Sequence, residues 1–199
     1  MTAYDQEGLS NTDTVEITYE AEKGKVYAAV IGISRYKNAP GLKYADEDAL
    51  AFYEYLLHTN NVPKEQVTLL QNEEATLENV KSLLGEVIKR KARKQDTVII
   101  YYAGHGVPEP DSKSPDGDGL EKYLFPYDAD PNRLYSTALP MEDIAKIFSK
   151  LSAERVILIQ DTCYSGSSGE GRTVQTAFRT RSVSGNFLDR VAKGEGRVI

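Results

Sequence analysis

The chain is poor in the residues that build covalent or metal frameworks. Its 199 residues include one cysteine, two histidines and no tryptophan. A single cysteine forbids an intrachain disulfide and excludes the Cys₂ and Cys₄ types of zinc site. So small a stock of thiol and imidazole fits a cytosolic protein better than a disulfide-stapled secreted one, and a cytoplasmic location is expected. No apolar run approaches the ~18 residues that span a bilayer. Met1–Ser10 is polar and carries acid, unlike a signal peptide. No membrane partner is therefore expected. Basic residues are outnumbered, 24 Lys and Arg against 30 Asp and Glu, giving a net charge of −6 and a pI near 5.1. Phosphate backbones demand a basic footprint, so nucleic acid is a poor partner as well. With 15 glycines and 8 prolines, collagen-like and low-complexity readings also fail.

What is present is the patterning of one α/β domain, long enough to bury a core. Residues 1–24 form a polar tail in which Val15, Ile17 and Tyr19 alternate with polar residues, as in a short edge strand or hairpin arm. The domain proper covers 25–199. Lys25–Ile33 is a compact apolar run and the first core strand, followed by the loop Ser34–Gly41. Ala49, Phe52, Tyr53, Leu56 and Leu57 recur at helical spacing, so Ala45–His58 is an amphipathic helix with three acids in its first turn. Gln66–Leu70 is a second strand. Thr76 caps a helix with Leu77, Val80, Leu84, Val87 and Ile88 on its apolar face. Asp96–Tyr102 lacks alternation, which implies a strand covered on both faces. A loop is expected over Ala103–Gly119, with a short extended piece at Tyr123–Phe125. Pro140 opens a helix, Glu154–Gln160 is a fourth strand, and Thr162–Asn186 is a Ser-, Gly- and Arg-rich loop. Phe187–Lys193 suits a short helix. Strands alternating with helices predict a sandwich around a largely parallel sheet, with ligands beyond the strands' carboxyl ends. The chain stops at Arg197–Val198–Ile199 as a further strand starts, which reads as a polypeptide truncated or processed within its sheet.

Two residues at those carboxyl ends bear on chemistry. Cys163 directly follows the strand VILIQ within Asp161-Thr-Cys-Tyr-Ser-Gly166. Taken alone, it is either a small buried hydrophobe or a reachable thiol. His105 follows another strand, flanked by Gly104 and Gly106, and by itself reads as a solvated loop histidine. Together they carry more weight, because a thiol becomes a strong nucleophile when a nearby imidazole takes its proton. His58 ends a helix and reads as a capping or surface residue.

The runs Val98–Gly106 (VIIYYAGHG) and Ile159–Gly166 (IQDTCYSG), in this order and 58 residues apart from His105 to Cys163, resemble the caspase-like cysteine peptidases. The likeness is to the metacaspase and bacterial caspase-homologue branch, with support from Val30–Tyr36 (VIGISRY) and Leu42–Ala49 (LKYADEDA). It extends over about residues 25–199, a region like the large catalytic subunit. The resemblance implies a caspase-like three-layer sandwich, lacking the C-terminal part of its sheet. It implies peptide-bond hydrolysis with Cys163 as nucleophile, His105 as its proton partner, and backbone N–H groups of Gly106 and Cys163 as oxyanion donors. Where true caspases have glutamine two places before the cysteine, this chain has Asp161. In the metacaspase-like branch that aspartate lines the S1 pocket, together with one matching Asp48. Cleavage after Arg, then Lys, follows for peptide or protein substrates. Ala103 replaces a serine common in that branch. The plainer alternatives are that Asp161 caps a turn and Asp48 serves the helix start.

The acidic loop Ser114–Asp130 raises calcium. Calcium-dependent metacaspases carry paired acids where this chain has Glu121 and Lys122, so no metal and no other cofactor are expected. Arg172, Arg179 and Arg181 in the loop over 162–186 are candidate self-cleavage sites. The chain's own absent small-subunit region is a possible partner. The Ser165–Gly171 run lacks a phosphate-loop pattern. The rival readings are a non-catalytic caspase-fold interaction module and a flavodoxin-like nucleotide binder, the latter opposed by the poor phosphate loop at Ser34–Gly41.

Overall fold

The computed structural model describes residues 24–114, 117 and 119–162, together with the backbone of two short strands near the N-terminus. Those strands, β1 (Thr2–Tyr4) and β2 (Ser10–Thr12), pair antiparallel. The pairing involves earlier residues than the Val15–Tyr19 alternation, which lies outside the described residues. Then come β3 (Val26–Gly32), α1 (Ala45–Glu54), β4 (Val67–Gln71), α2 (Leu77–Ser82) and α3 (Lys89–Lys91). They are followed by β5 (Thr97–Gly104), β6 (Gly106–Pro110), β7 (Leu120–Leu124), α4 (Leu134–Thr137), β8 (Leu139–Pro140), α5 (Met141–Ser149) and β9 (Arg155–Thr162).

Four strands make a parallel sheet in the order β4-β3-β5-β9. Its central strands read as apolar runs because both faces are covered. On one face Ala29, Ile31, Val98, Ile100, Tyr102, Val156 and Leu158 pack with Val80, Leu84, Ile144 and Phe148 of the helices. On the other, Ala28, Val30, Tyr101 and Ala103 pack beneath Ala45, Ala49 and Leu56. The fold is therefore a three-layer α/β sandwich. Strand β9 is covered less well on the α1 side, where Ile159 is exposed.

Local chemistry accounts for the helix positions. The Thr76 hydroxyl accepts the Asn79 N–H at 3.2 Å, and Asp128 accepts the Leu77 N–H at 2.9 Å, so α2 starts with two of its free donors satisfied. Helices α1 and α2 both run on into wide π turns, Tyr55–Thr59 after α1 and Leu83–Ile88 after α2. Helix α1 lies close on β3 at Gly32, where a Cβ would stand 2.3 Å from the Ala49 Cβ and 2.6 Å from the Ala45 carbonyl. Only glycine admits that approach.

One expectation fails plainly. Residues 103–119 are not a continuous loop: β5 runs on to Gly104 and Gly106–Pro110 is a strand. Strand β6 pairs with β7, and β8 extends the pair into a small antiparallel sheet with its own cluster of Val107, Tyr123, Phe125 and Leu134. Two prolines in GVPEP suggest a loop, but β6 is an edge strand, where a missing N–H costs no ladder bond on its open side.

Candidate active site

His105 is the single residue between β5 and β6. It is not a solvated loop residue, being only 5% exposed. The Tyr36 ring lies 4.7 Å from it, and Phe125 approaches edge-on at 6.5 Å. The backbone is held as firmly as the ring. Its N–H donates to the Tyr36 hydroxyl at 2.8 Å, and its carbonyl accepts the Phe125 N–H at 3.0 Å. Two tyrosine hydroxyls converge here, and Gly104 makes room for them: a Cβ would stand 2.8 Å from the Tyr36 oxygen and 3.0 Å from that of Tyr102. The 105–125 pair thus occupies a hydrogen-bonded position of the antiparallel ladder, so Gly106 turns its N–H away from β7.

The imidazole tautomer follows from its partner. Nε2 lies 2.9 Å from the Pro40 carbonyl, which can only accept, so Nε2 carries the proton. Nδ1 is then the basic nitrogen. Burial pushes the His105 pKa down, and the Pro40 carbonyl opposes that shift only in part. The ring is accordingly neutral near pH 7, as a proton acceptor must be.

The loop that supplies Tyr36 and Pro40 is held by a polar network that sequence patterning does not signal. Asn72, in the left-handed region with φ 46, accepts the N–H groups of Ser34 and Arg35, each at 2.9 Å. Its amide donates to Asp46 at 2.8 Å, and the Ser34 hydroxyl donates to the same carboxylate. Burial opposes charge on Asp46, but the Asn72 and Ser34 hydrogen bonds outweigh it and hold the carboxyl below its usual range.

Beside this loop a cavity of about 210 Å³ opens between the start of α1 and the carboxyl ends of β5 and β9. Asp48 and Asp161 both line it, with Ala103 and Gly104 between them. The register sets Asp161 beside Ala103. Asp161 lies within β9. Tyr101, below on the same face of β5, has its pKa pushed up to about 12, chiefly by burial and further by the charges of Asp161 and Asp48. A cavity this size is smaller than a typical cofactor pocket of about 300–1,000 Å³ and suits a side-chain head group.

Cys163 and Arg172, Arg179 and Arg181 lie outside the described residues. Gly104 pairs with Thr162, so β5 and β9 run to one level just before positions 105 and 163. His58 is an exposed helix residue paired with Glu54 at 2.7 Å.

The caspase domain profile matches residues 25–194. This chain belongs to the caspase-domain peptidase family. It is similar to Metacaspase-1 of Coccidioides immitis, 24% identical over 160 residues that make up 73% of this chain and 32% of that protein. Metacaspase-1A of Aspergillus oryzae is 26% identical over 157 residues, 75% of this chain and 36% of that protein. The chain spans about a third of the length of these curated relatives. A solved crystal structure of a Geobacter sulfurreducens protein has the same fold, with a TM-score of 0.56 and 21% identity over 70% of this chain and 50% of that one.

Lys122 is buried at 7% exposure in β7. Among the described residues, no group of three or more His, Cys, Asp or Glu is arranged to hold a metal. No helix of the described residues is long and apolar enough to cross a membrane.

Proposed function

We propose that this caspase-domain protein is a cysteine endopeptidase that cleaves after arginine, and less well after lysine, without calcium. The observation carrying this reading is the parallel register of β5 and β9. Gly104 pairs with Thr162, and in sequence His105 directly follows the one and Cys163 the other. Neighbouring strands lie about 4.8 Å apart, the spacing a Cys–His dyad at two strand ends requires.

The chemistry follows from the tautomer. Nδ1 of His105 takes the Cys163 proton, and the thiolate adds to the scissile carbonyl carbon. The resulting oxyanion is met by N–H donors, of which Gly106 directs its own away from β7. Collapse breaks the C–N bond as the imidazolium returns its proton to the departing amine. Water, deprotonated by the same Nδ1, hydrolyses the thioester and restores the thiol. Throughout, the Pro40 carbonyl holds the Nε2 proton and stabilises the imidazolium.

Selection of P1 follows from the cavity. Asp48 and Asp161 line one small space, which a guanidinium fills with opposite charge and bidentate hydrogen bonds. An acidic P1 would bring a third negative charge. The same specificity makes Arg172, Arg179 and Arg181 eligible for self-cleavage. The experiment is a panel of fluorogenic peptides differing only at P1. Arg should exceed Lys, Asp should be at least about 100-fold poorer than Arg, and Asp161→Asn should lower kcat/KM on the Arg peptide about 10- to 100-fold. Equal turnover of Asp and Arg peptides refutes the specificity. No turnover of any peptide favours a non-catalytic interaction module.

A further inference from the structure

A third charged side chain stands in the wall of the acidic cavity. Lys43 lines it along with Asp48 and Asp161. Its ammonium is not on either carboxylate: Nζ lies 4.8 Å from the centroid of the Tyr44 ring, and Lys43 makes no ion pair among the described residues. Lys43 and Tyr44 are both exposed, on the loop residues immediately before α1. A lysine head on a flexible four-carbon stem can choose between the ring and the two carboxylates. A cation on an exposed ring and a cation in an exposed ion pair are held about equally well, so the two seats differ by no more than about five-fold in occupancy.

We infer that Lys43 is a resident cation that competes with the substrate's P1 side chain for Asp48 and Asp161, and that Tyr44 is the seat that keeps it out. The inference rests on reading the cavity as the P1 site. With the ammonium on Tyr44, both carboxylates are open to an incoming guanidinium. With the ammonium in the cavity, the site is filled and its charge falls from −2 to −1. Apparent affinity for a cationic ligand is then reduced by the fraction of molecules in the open arrangement. Tyr44 and Lys43 thus act on ground-state binding of basic substrates, appearing in KM rather than kcat.

The coupling between the two residues separates this role from a merely structural one. Benzamidine binding to the Cys163→Ala protein is measured by calorimetry for five forms: the parent, Lys43→Met, Tyr44→Leu, the double variant and Asp161→Asn. Because both side chains are exposed, their replacement leaves the core intact. The expected results are tightening of about two-fold for Lys43→Met and weakening of about two- to five-fold for Tyr44→Leu. In the double variant, loss of Tyr44 should no longer weaken binding, because the competitor is gone. KM for an Arg peptide should move in the same order, with kcat unchanged. Equal weakening by Tyr44→Leu with and without Lys43 overturns the inference, since Tyr44 would then be only a wall of the site. Weaker or unchanged binding in Lys43→Met overturns it too. If benzamidine fails to bind the parent, or binds Asp161→Asn equally well, the reading of the cavity fails first and the inference with it.

Discussion

Replacing Gly32 by alanine tests whether close packing of α1 on β3 sets the cavity. The new Cβ would stand 2.3 Å from the Ala49 Cβ, 2.6 Å from the Ala45 carbonyl oxygen and 3.0 Å from the Asp46 Cα. Comfortable carbon contacts are about 3.5–4.0 Å, so the helix must retreat by about 1.5 Å. Two of the three atoms are backbone and the third is a Cβ, so no rotamer change relieves the clash. Overpacking costs about 1–3 kcal/mol, and the upper end is expected here. The retreat also moves Asp48 from the cavity and strains the bonds from Asn72 and Ser34 to Asp46. Misplacement by about 1 Å can cost about 100-fold in rate. Urea denaturation and kcat/KM on an Arg peptide measure the two effects. Gly85→Ala is the internal control. A Cβ there meets nothing within 4 Å on a helical segment, so it should gain about 0.5–1 kcal/mol. A Gly32→Ala protein within about 0.5 kcal/mol of wild type, with unchanged kcat/KM, refutes the reasoning.

Tyr36→Phe keeps the ring beside His105 but removes the acceptor of a buried N–H, costing about 1–3 kcal/mol. Its kcat should fall while KM holds, as paired kinetics will show. Acid should weaken the fold in two stages. The His105 pKa is lower in the folded chain, so as pH falls below about 6.5 the unfolded chain takes up its proton first. Stability is full above that value and declines as pH falls through the folded pKa. Asp46, also lowered, adds a second loss below about pH 4. Denaturation midpoints across pH 3–8 measure both, and His105→Gln should abolish only the upper stage. Chelation should leave the cleavage rate unchanged, whereas collapse in chelator with recovery on adding calcium would show that the hairpin holds the ion.

The sheet is legible in the sequence because covering both faces of a parallel strand leaves an unbroken apolar run, as in VIIYY and VILIQ. The Thr76 cap is legible for a similar reason, since one hydroxyl before a periodic apolar face has one common use. What holds His105 is not legible. The Pro40 acceptor is a backbone carbonyl, which every residue possesses, and the Tyr36 hydroxyl reaches across 69 positions of sequence. Only the resemblance of Val30–Tyr36 to the family points towards that tyrosine. Burial of His105 is hidden for the same reason, since the Tyr36 and Phe125 rings that cover it are distant in the chain. Strand β6 is masked by prolines that its edge position tolerates. Lys43 escapes notice because a lone lysine before a helix usually means solvent, and only the cavity gives it company.

The most direct measurement of the central claim is covalent trapping by a peptidyl-arginine chloromethyl ketone, read by intact mass and peptide mapping. One equivalent should add, at Cys163 alone. The rate should fall by at least about 100-fold in His105→Ala, and the peptidyl-aspartate reagent should be inert. Labelling elsewhere, none in the wild-type protein, or equal rates for the two reagents would contradict the account.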